Sequence, residues 1–246
     1  MNKKAIALTV IAVIASFAGG FLLANALNRK DLDALRAENA QLKNAQSQQR
    51  QQSDEFTLAD EEIRKKIEEA DRNTSDFDFQ KNLAIGLYRY SQMKQDAKYL
   101  PDVARLLKRA NEMNPQDYAT IVALGNVYLD IGQINKDNAA IEQARGFYRQ
   151  ALSIKSTDAD VQNDLGMSYF FAAPPETEKA IAEYEKALEI NPRHEKAMEN
   201  LIRANSSLGK TKEAEDFFNR LKQINSANEA LPALEAQIAQ SRNKQQ

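Results

Sequence analysis

Cysteine is absent from this 246-residue chain. That excludes disulfides, thiolate metal sites, a cysteine nucleophile and a lipid-anchored cysteine. A single histidine, His194, leaves no histidine pair for a metal site or a proton relay. Tryptophan is missing as well, and the eight glycines form no phosphate-cradling loop. Positive charge is short outside the N-terminus. Lys3, Lys4, Arg29 and Lys30 flank an apolar segment, and no acidic residue precedes Asp31. The 33 basic residues less these four leave 29 against 35 acidic ones, a net of −6. Such a body lacks the general basic face that neutralises phosphates, so no nucleic-acid partner is expected. Nor is an enzyme expected, or a cofactor or a metal. What the chain does have is helix formers: Ala, Gln, Leu, Lys and Glu.

Residues 5–27 carry no charge. As a helix they would reach roughly 35 Å, more than the roughly 30 Å hydrocarbon core of a bilayer. Lys3 and Lys4 precede them, so residues 1–4 are expected in the cytoplasm and the body across the membrane. Ala24-Asn25-Ala26 also has the small-x-small form of a cleavage site, which would release a periplasmic or secreted protein. The length of the apolar run favours an uncleaved anchor in a single-pass inner-membrane protein. Residues 28–78 read as a polar helical spacer. Leu32, Leu35, Asn39 and Leu42 fit two coiled-coil heptads before Gln46, Gln49 and Ser53 break the seam. This leaves open a homo-oligomer through the spacer or a solvated stalk. A second spacer helix is expected from Leu58 to about Arg72, capped by Thr57, with an apolar stripe of Ile63, Ile67 and Ala70.

Beyond residue 78 one pattern recurs. Leu165, Gly166 and Tyr169 are followed by Ala180, Tyr184, Ala187 and Pro192. Leu124, Gly125, Tyr128, Ala144, Tyr148 and Ala151 repeat it earlier, and Leu201, Leu208, Gly209, Ala214, Phe218 and Leu221 repeat it later. Offsets of three and four share one helix face, so each copy predicts two packed helices, and Gly166 lets the partner helix approach closely. Asn191-Pro192 and Asn114-Pro115 stop the second helix.

These residues resemble the tetratricopeptide repeat (TPR). The resemblance implies an all-α fold: a TPR α-solenoid of helix-turn-helix repeats in a right-handed superhelix, preceded by a transmembrane helix and a helical spacer. The expected units are a degenerate repeat at 79–117, a repeat with an inter-helix insertion at 118–158, and repeats at 159–194 and 195–228. A capping helix and tail follow at 229–246. The turn of the second unit is expected to be enlarged by about seven residues around Asn135–Asn138, against a repeat of about 34. Ile202, Asn205, Ser156 and Ser226 depart from the family pattern.

In that family the first helix of each repeat lines a concave groove. Carried over, the groove positions here are Ala119, Val122, Asn126, Leu129 and Asp130. They continue through Asp160, Asn163, Met167, Phe170 and Phe171 to Lys196, Glu199, Arg203, Ser206 and Ser207. Candidate partner-binding residues are Asn126, Leu129, Asn163, Met167, Phe170, Lys196 and Arg203. Asparagine amides bond peptide groups, and methionine adapts to varied apolar side chains. Leu129, Phe170 and Phe171 fit core and groove equally. The carboxylate clamp of some members is not expected, because Val122, Asp164 and Asn200 stand where it needs Lys, Asn and Arg. His194 reads as a solvent-facing turn residue, and Asp76 and Asp78 as turn or cap residues. The function that follows is a membrane-anchored scaffold binding a protein or peptide partner in the cell envelope. The alternatives are an assembly chaperone for envelope or secreted proteins, like TPR subunits of cytochrome maturation, and an oligomerising structural envelope protein.

Overall fold

The computed structural model describes residues 60–243, and every regular element among them is helical. The apolar segment 5–27, the heptads and Thr57 lie outside the described residues. Ten α-helices follow in order: α1 (Asp60–Arg72), α2 (Phe77–Lys94), α3 (Leu100–Met113), α4 (Tyr118–Asn135), α5 (Asn138–Ile154), α6 (Ala159–Phe170), α7 (Thr177–Ile190), α8 (Glu195–Ser207), α9 (Thr211–Ile224) and α10 (Leu231–Asn243). A short 3₁₀ turn, Ala97–Tyr99, joins α2 to α3. Among these described helices, none is long and apolar enough to cross a membrane.

The starts of the first helices share one chemistry. Asp76, Asp117 and Asp158 each accept a hydrogen bond from the backbone N–H three residues on, capping α2, α4 and α6. His194 does the same for α8: its Nδ1 accepts from Ala197 N–H at 3.0 Å. That bond leaves the proton on Nε2, which reaches Asp160 Oδ1 at 2.9 Å. His194 is thus a buried cap, not a solvent-facing turn residue. Its hydrogen bonds compensate the burial of its ring.

The second helices also stop alike. The N–H groups of Asn114, Lys155, Asn191 and Asn225 close on carbonyls four residues back, at 2.8–2.9 Å. Two of these stops precede proline and two precede Ser156 or Ser226. The family departures at the serines therefore leave the turn intact.

Packing follows the glycine–tyrosine pairs. A Cβ built on Gly125 would stand 2.5 Å from the Tyr148 ring, and one on Gly166 would stand 2.6 Å from Tyr184. Both rings are fully buried. The α2–α3, α4–α5, α6–α7 and α8–α9 pairs form hairpins, each packed on the next. In the row α2, α4, α6, α8 each helix also touches the next, whereas in the row α3, α5, α7, α9 such contacts are fewer. The stack therefore curves with α2, α4, α6 and α8 inside, and these line the concave face.

One feature differs from the expectation. The insertion in the second unit is not a wide loop. It lengthens both helices, to 18 residues in α4 and 17 in α5, against 12 and 14 in α6 and α7. Only Lys136 and Asp137 remain between α4 and α5, with Lys136 left-handed at φ 53°. Helices satisfy their own backbone groups, which a loop of that length would leave to solvent. The side chain of Asn138 then ties this turn to the next one. It donates to Ala173 O at 2.6 Å and accepts from Ala173 N–H at 2.9 Å.

The spacer helix expected to run to about Arg72 is α1. Its stripe, Ile63, Ile67 and Ala70, is buried in the same compact unit as the repeats, which begins at Asp60. Gln80 donates to Ala70 O and Asn73 O. Asp71 pairs with Arg105 and Arg109, and Asp60 with Lys98 and the Tyr99 hydroxyl.

Candidate functional site

The concave face carries a hollow of about 270 Å³ where α2, α4, α5 and α6 meet. Asn126, Leu129 and Met167, all expected there, line it together with Tyr88, Gln92, Asp130, Tyr148 and Asp164. Their spacing explains the convergence. Asn126, Leu129 and Asp130 lie on one face of α4, and Asp164 and Met167 lie one turn apart on α6. Asn126 is half-buried and its Oδ1 accepts from the Tyr148 hydroxyl at 2.9 Å. Leu129 is buried, so it forms the floor while belonging to the core.

Two carboxylates shape the electrostatics of this hollow. Asp130 accepts hydrogen bonds from the Tyr88 hydroxyl at 2.7 Å and from Gln92 Nε2. Burial raises its pKa, and these donors only partly offset that. Asp164 accepts from Asn163 Nδ2 at 3.2 Å. Burial pushes its carboxyl up to about 6, with the Asn163 bond pulling the other way. The tyrosine hydroxyls of Tyr88 and Tyr148 are held neutral by burial and by these acids.

A second group lies farther along, on α6 and α8. Asn163 is buried, and its amide is used within the protein. Its Oδ1 accepts from Asn200 at 2.9 Å and its Nδ2 turns to Asp164 and to Met167 Sδ. It orders the face rather than presenting a free amide to a partner. Arg203 donates to Asn200 Oδ1 at 3.3 Å and pairs with Glu199 at 3.5 Å. Lys196, exposed, pairs with the same Glu199 at 3.3 Å. Asn228 donates to Glu199 at 3.1 Å and to Glu195 at 2.8 Å. Phe170 is half-buried against the core, and its ring meets Phe171 edge-on at 5.5 Å. Phe171 is 41% exposed, so of the pair it is the one offered to solvent. Among the described residues, no group of three His, Asp or Glu side chains is placed to hold a metal ion.

Sequence reasoning missed two neighbouring hollows. One of about 300 Å³ is lined by Ser91, Gln92, Gln95, Asp96, Ala97, Leu100, Asp130 and Ile134, and so shares Gln92 and Asp130 with the first. A larger groove of about 760 Å³ runs between α3 and the lengthened end of α4, with Leu100, Ala104, Lys108, Tyr128, Ile131 and Ile134 among its walls. Its signal was present. The apolar period of α4 continues through Ile131 and Ile134 into the insertion, where a loop would have lost it.

Residues 176–242, covering α7 to α10, match the model of the tetratricopeptide repeat family. No curated protein matches the chain. Among solved structures, MamA from Desulfovibrio magneticus is 18% identical, with a TM-score of 0.56 over 69% of this chain and 86% of that one. TTC0263, a thermophilic TPR protein of Thermus thermophilus, is 17% identical, with a TM-score of 0.54 over 71% and 86%. PilF of Pseudomonas aeruginosa is 20% identical, with a TM-score of 0.52 over 69% and 70%. At these identities the shared property is the fold. The repeat model and the TPR neighbours together support a TPR-type helical solenoid.

Proposed function

We propose that this chain is a protein-interaction scaffold that takes a protein or peptide partner along the concave face of α2, α4, α6 and α8. The observation that carries this reading is the open hollow at the centre of that face. It combines an apolar floor, Leu129 and Met167, with directional polar groups, Asn126, Asp130 and Asp164. Ligand sites typically mix apolar area with a few placed polar groups in this way. Residues 5–27 would anchor the scaffold in the inner membrane, with the helical body on the periplasmic side. Confinement at the membrane would raise the local concentration of the face near membrane partners.

Two experiments test the parts separately. A photoreactive residue at Lys196, exposed on the inner helix α8, should capture a discrete partner, whereas one at Glu185, exposed on the outer helix α7, should not. Capture from Glu185 alone would put the interface on the other side. For topology, the chain's lack of cysteine is useful. A single cysteine at Gln246 should react with a membrane-impermeant maleimide in intact spheroplasts, and one at Asn2 only after lysis. Equal labelling of both would refute the anchored arrangement.

A further inference from the structure

The two hollows on either side of Asp130 have a common deficit. Their linings contain Asp96, Asp130 and Asp164 but neither lysine nor arginine. Several acids elsewhere in the described stack have a cation beside them. Asp71 has Arg105 and Arg109, Asp117 has Lys81, and Glu199 has Lys196 and Arg203. Asp130 and Asp164 have only neutral donors. Both are half-buried, so an acid there without a counter-cation carries part of the desolvation cost, and a cation arriving from outside relieves it. A second observation points the same way. Ser91 lines the 300 Å³ hollow, is 4% exposed, and its Oγ has no hydrogen-bond partner. Helical serines ordinarily turn that oxygen back to their own backbone, so an unpartnered hydroxyl in this lining retains the capacity to accept a hydrogen bond from an arriving donor.

We propose that these neighbouring hollows, which share Gln92 and Asp130, bind the guanidinium group of an arginine side chain presented by the partner, with Asp130 and Asp164 as its counter-charges. The proposal rests on the concave-face reading above and names the partner's chemistry there. Arginine fits better than lysine because the acceptors come from different helices, α4 and α6, and a planar fork of five donors can meet several at once. Tyr88 and the Met167 thioether line the same space and suit the apolar faces of a guanidinium plane. The chemistry is the reverse of a carboxylate clamp: acids stand on the groove, and the cation belongs to the partner.

Occupancy should also depend on pH. Asp164 faces Asp130 of α4, Tyr148 of α5, Tyr184 of α7, its own-helix neighbour Asp160, the cap Asp158 and His194 at the start of α8. With its carboxyl titrating at about 6, the site loses a counter-charge as pH falls through that value.

The full chain in detergent, labelled with ¹³C at its five methionine methyls, provides the readout. Met167 lines the hollow, Met198 is fully buried elsewhere, and Met93 and Met113 are exposed. N-acetyl-arginine amide is the probe, and its neutral isostere N-acetyl-citrulline amide is the control. A saturable shift of the Met167 methyl is expected with the arginine probe, at least about tenfold weaker with citrulline. It should be lost in Asp130→Asn/Asp164→Asn and weakened several-fold from pH 7.5 to 5.5. An unmoved Met198 signal certifies that the variant is folded, and Ser91→Ala serves as a milder second variant with a smaller loss. No shift, equal shifts with citrulline, a shift surviving the double substitution, or parallel shifts at Met93 and Met113 would each overturn the arginine site. Partner capture from Lys196 that persists in the double variant would then leave the scaffold reading standing and remove only this subsite.

Discussion

A single atom decides whether two helices of a hairpin can meet. Gly125 and Gly166 have no Cβ, and the rings of Tyr148 and Tyr184 occupy the space where one would be. Both rings are fully buried and cannot swing away. Gly166→Ala should therefore destabilise the protein by about 1–3 kcal/mol, read as a lower urea midpoint at unchanged slope. Asp164 makes the opposite case. Its folded pKa is raised, so the native state binds its proton more tightly than the unfolded chain does. Stability from this residue is thus lost as pH rises from the ordinary 3.8 through about 6. Asp164→Asn keeps the acceptor for Asn163 and removes the charge. It should match the parent below pH 3.8 and exceed it by about 1–2 kcal/mol above pH 7, after discounting for solvent contact. Equal urea midpoints at pH 7.5 would show that the carboxylate is already compensated in the fold.

At the scale of elements, the second hairpin shows how an insertion can be absorbed by helices. The α4–α5 turn needs Gly132, where a Cβ would meet the Ile141 side chain at 2.5 Å and its backbone nitrogen at 3.0 Å. It also needs Lys136 in the left-handed region, which costs an L-residue roughly 1–2 kcal/mol. Lys136→Gly should raise stability by about 0.5–1 kcal/mol, measured as a higher melting temperature without loss of helicity by circular dichroism. Gln95 ends α2 in the same conformation, at φ 52°, and Gln95→Gly should behave alike. The helix pairs themselves were legible because their signal is local: a cap, a small-large spacing and a stop. The length of α4 was not, since polar Asn135, Lys136, Asp137 and Asn138 read equally as a loop tip or as a helix end with a cap.

Across the whole described stack, each hairpin covers the apolar face of its neighbour and the two ends need covers of their own. At one end α1 buries Ile63, Ile67 and Ala70. At the other, α10 buries Leu234 and Ile238 against α8 and α9. Leu234→Ala should cost about 2–4 kcal/mol. Because coupling runs between neighbours, hydrogen exchange should quicken in α8 and α9 well before α2 and α3. Uniform acceleration throughout would mean that the stack unfolds as one unit.

The sequence alone determined the helical hairpins, their register and the family they resemble. Each of those depends on contacts three or four residues apart, or on a cap and the turn it begins. It also placed Asn126, Leu129 and Met167 on the inner helices. Only the tertiary structure decided which groove residues are free. Asn163, a candidate partner residue, turned out buried and bonded to Asn200. His194, read as a turn residue, turned out to cap α8 and reach back to Asp160. The structure likewise brought Asp130 and Asp164, from two successive repeats, to one hollow without a cation. Such pairings depend on how one repeat is set against the next, and the spacing within a single helix holds no record of that.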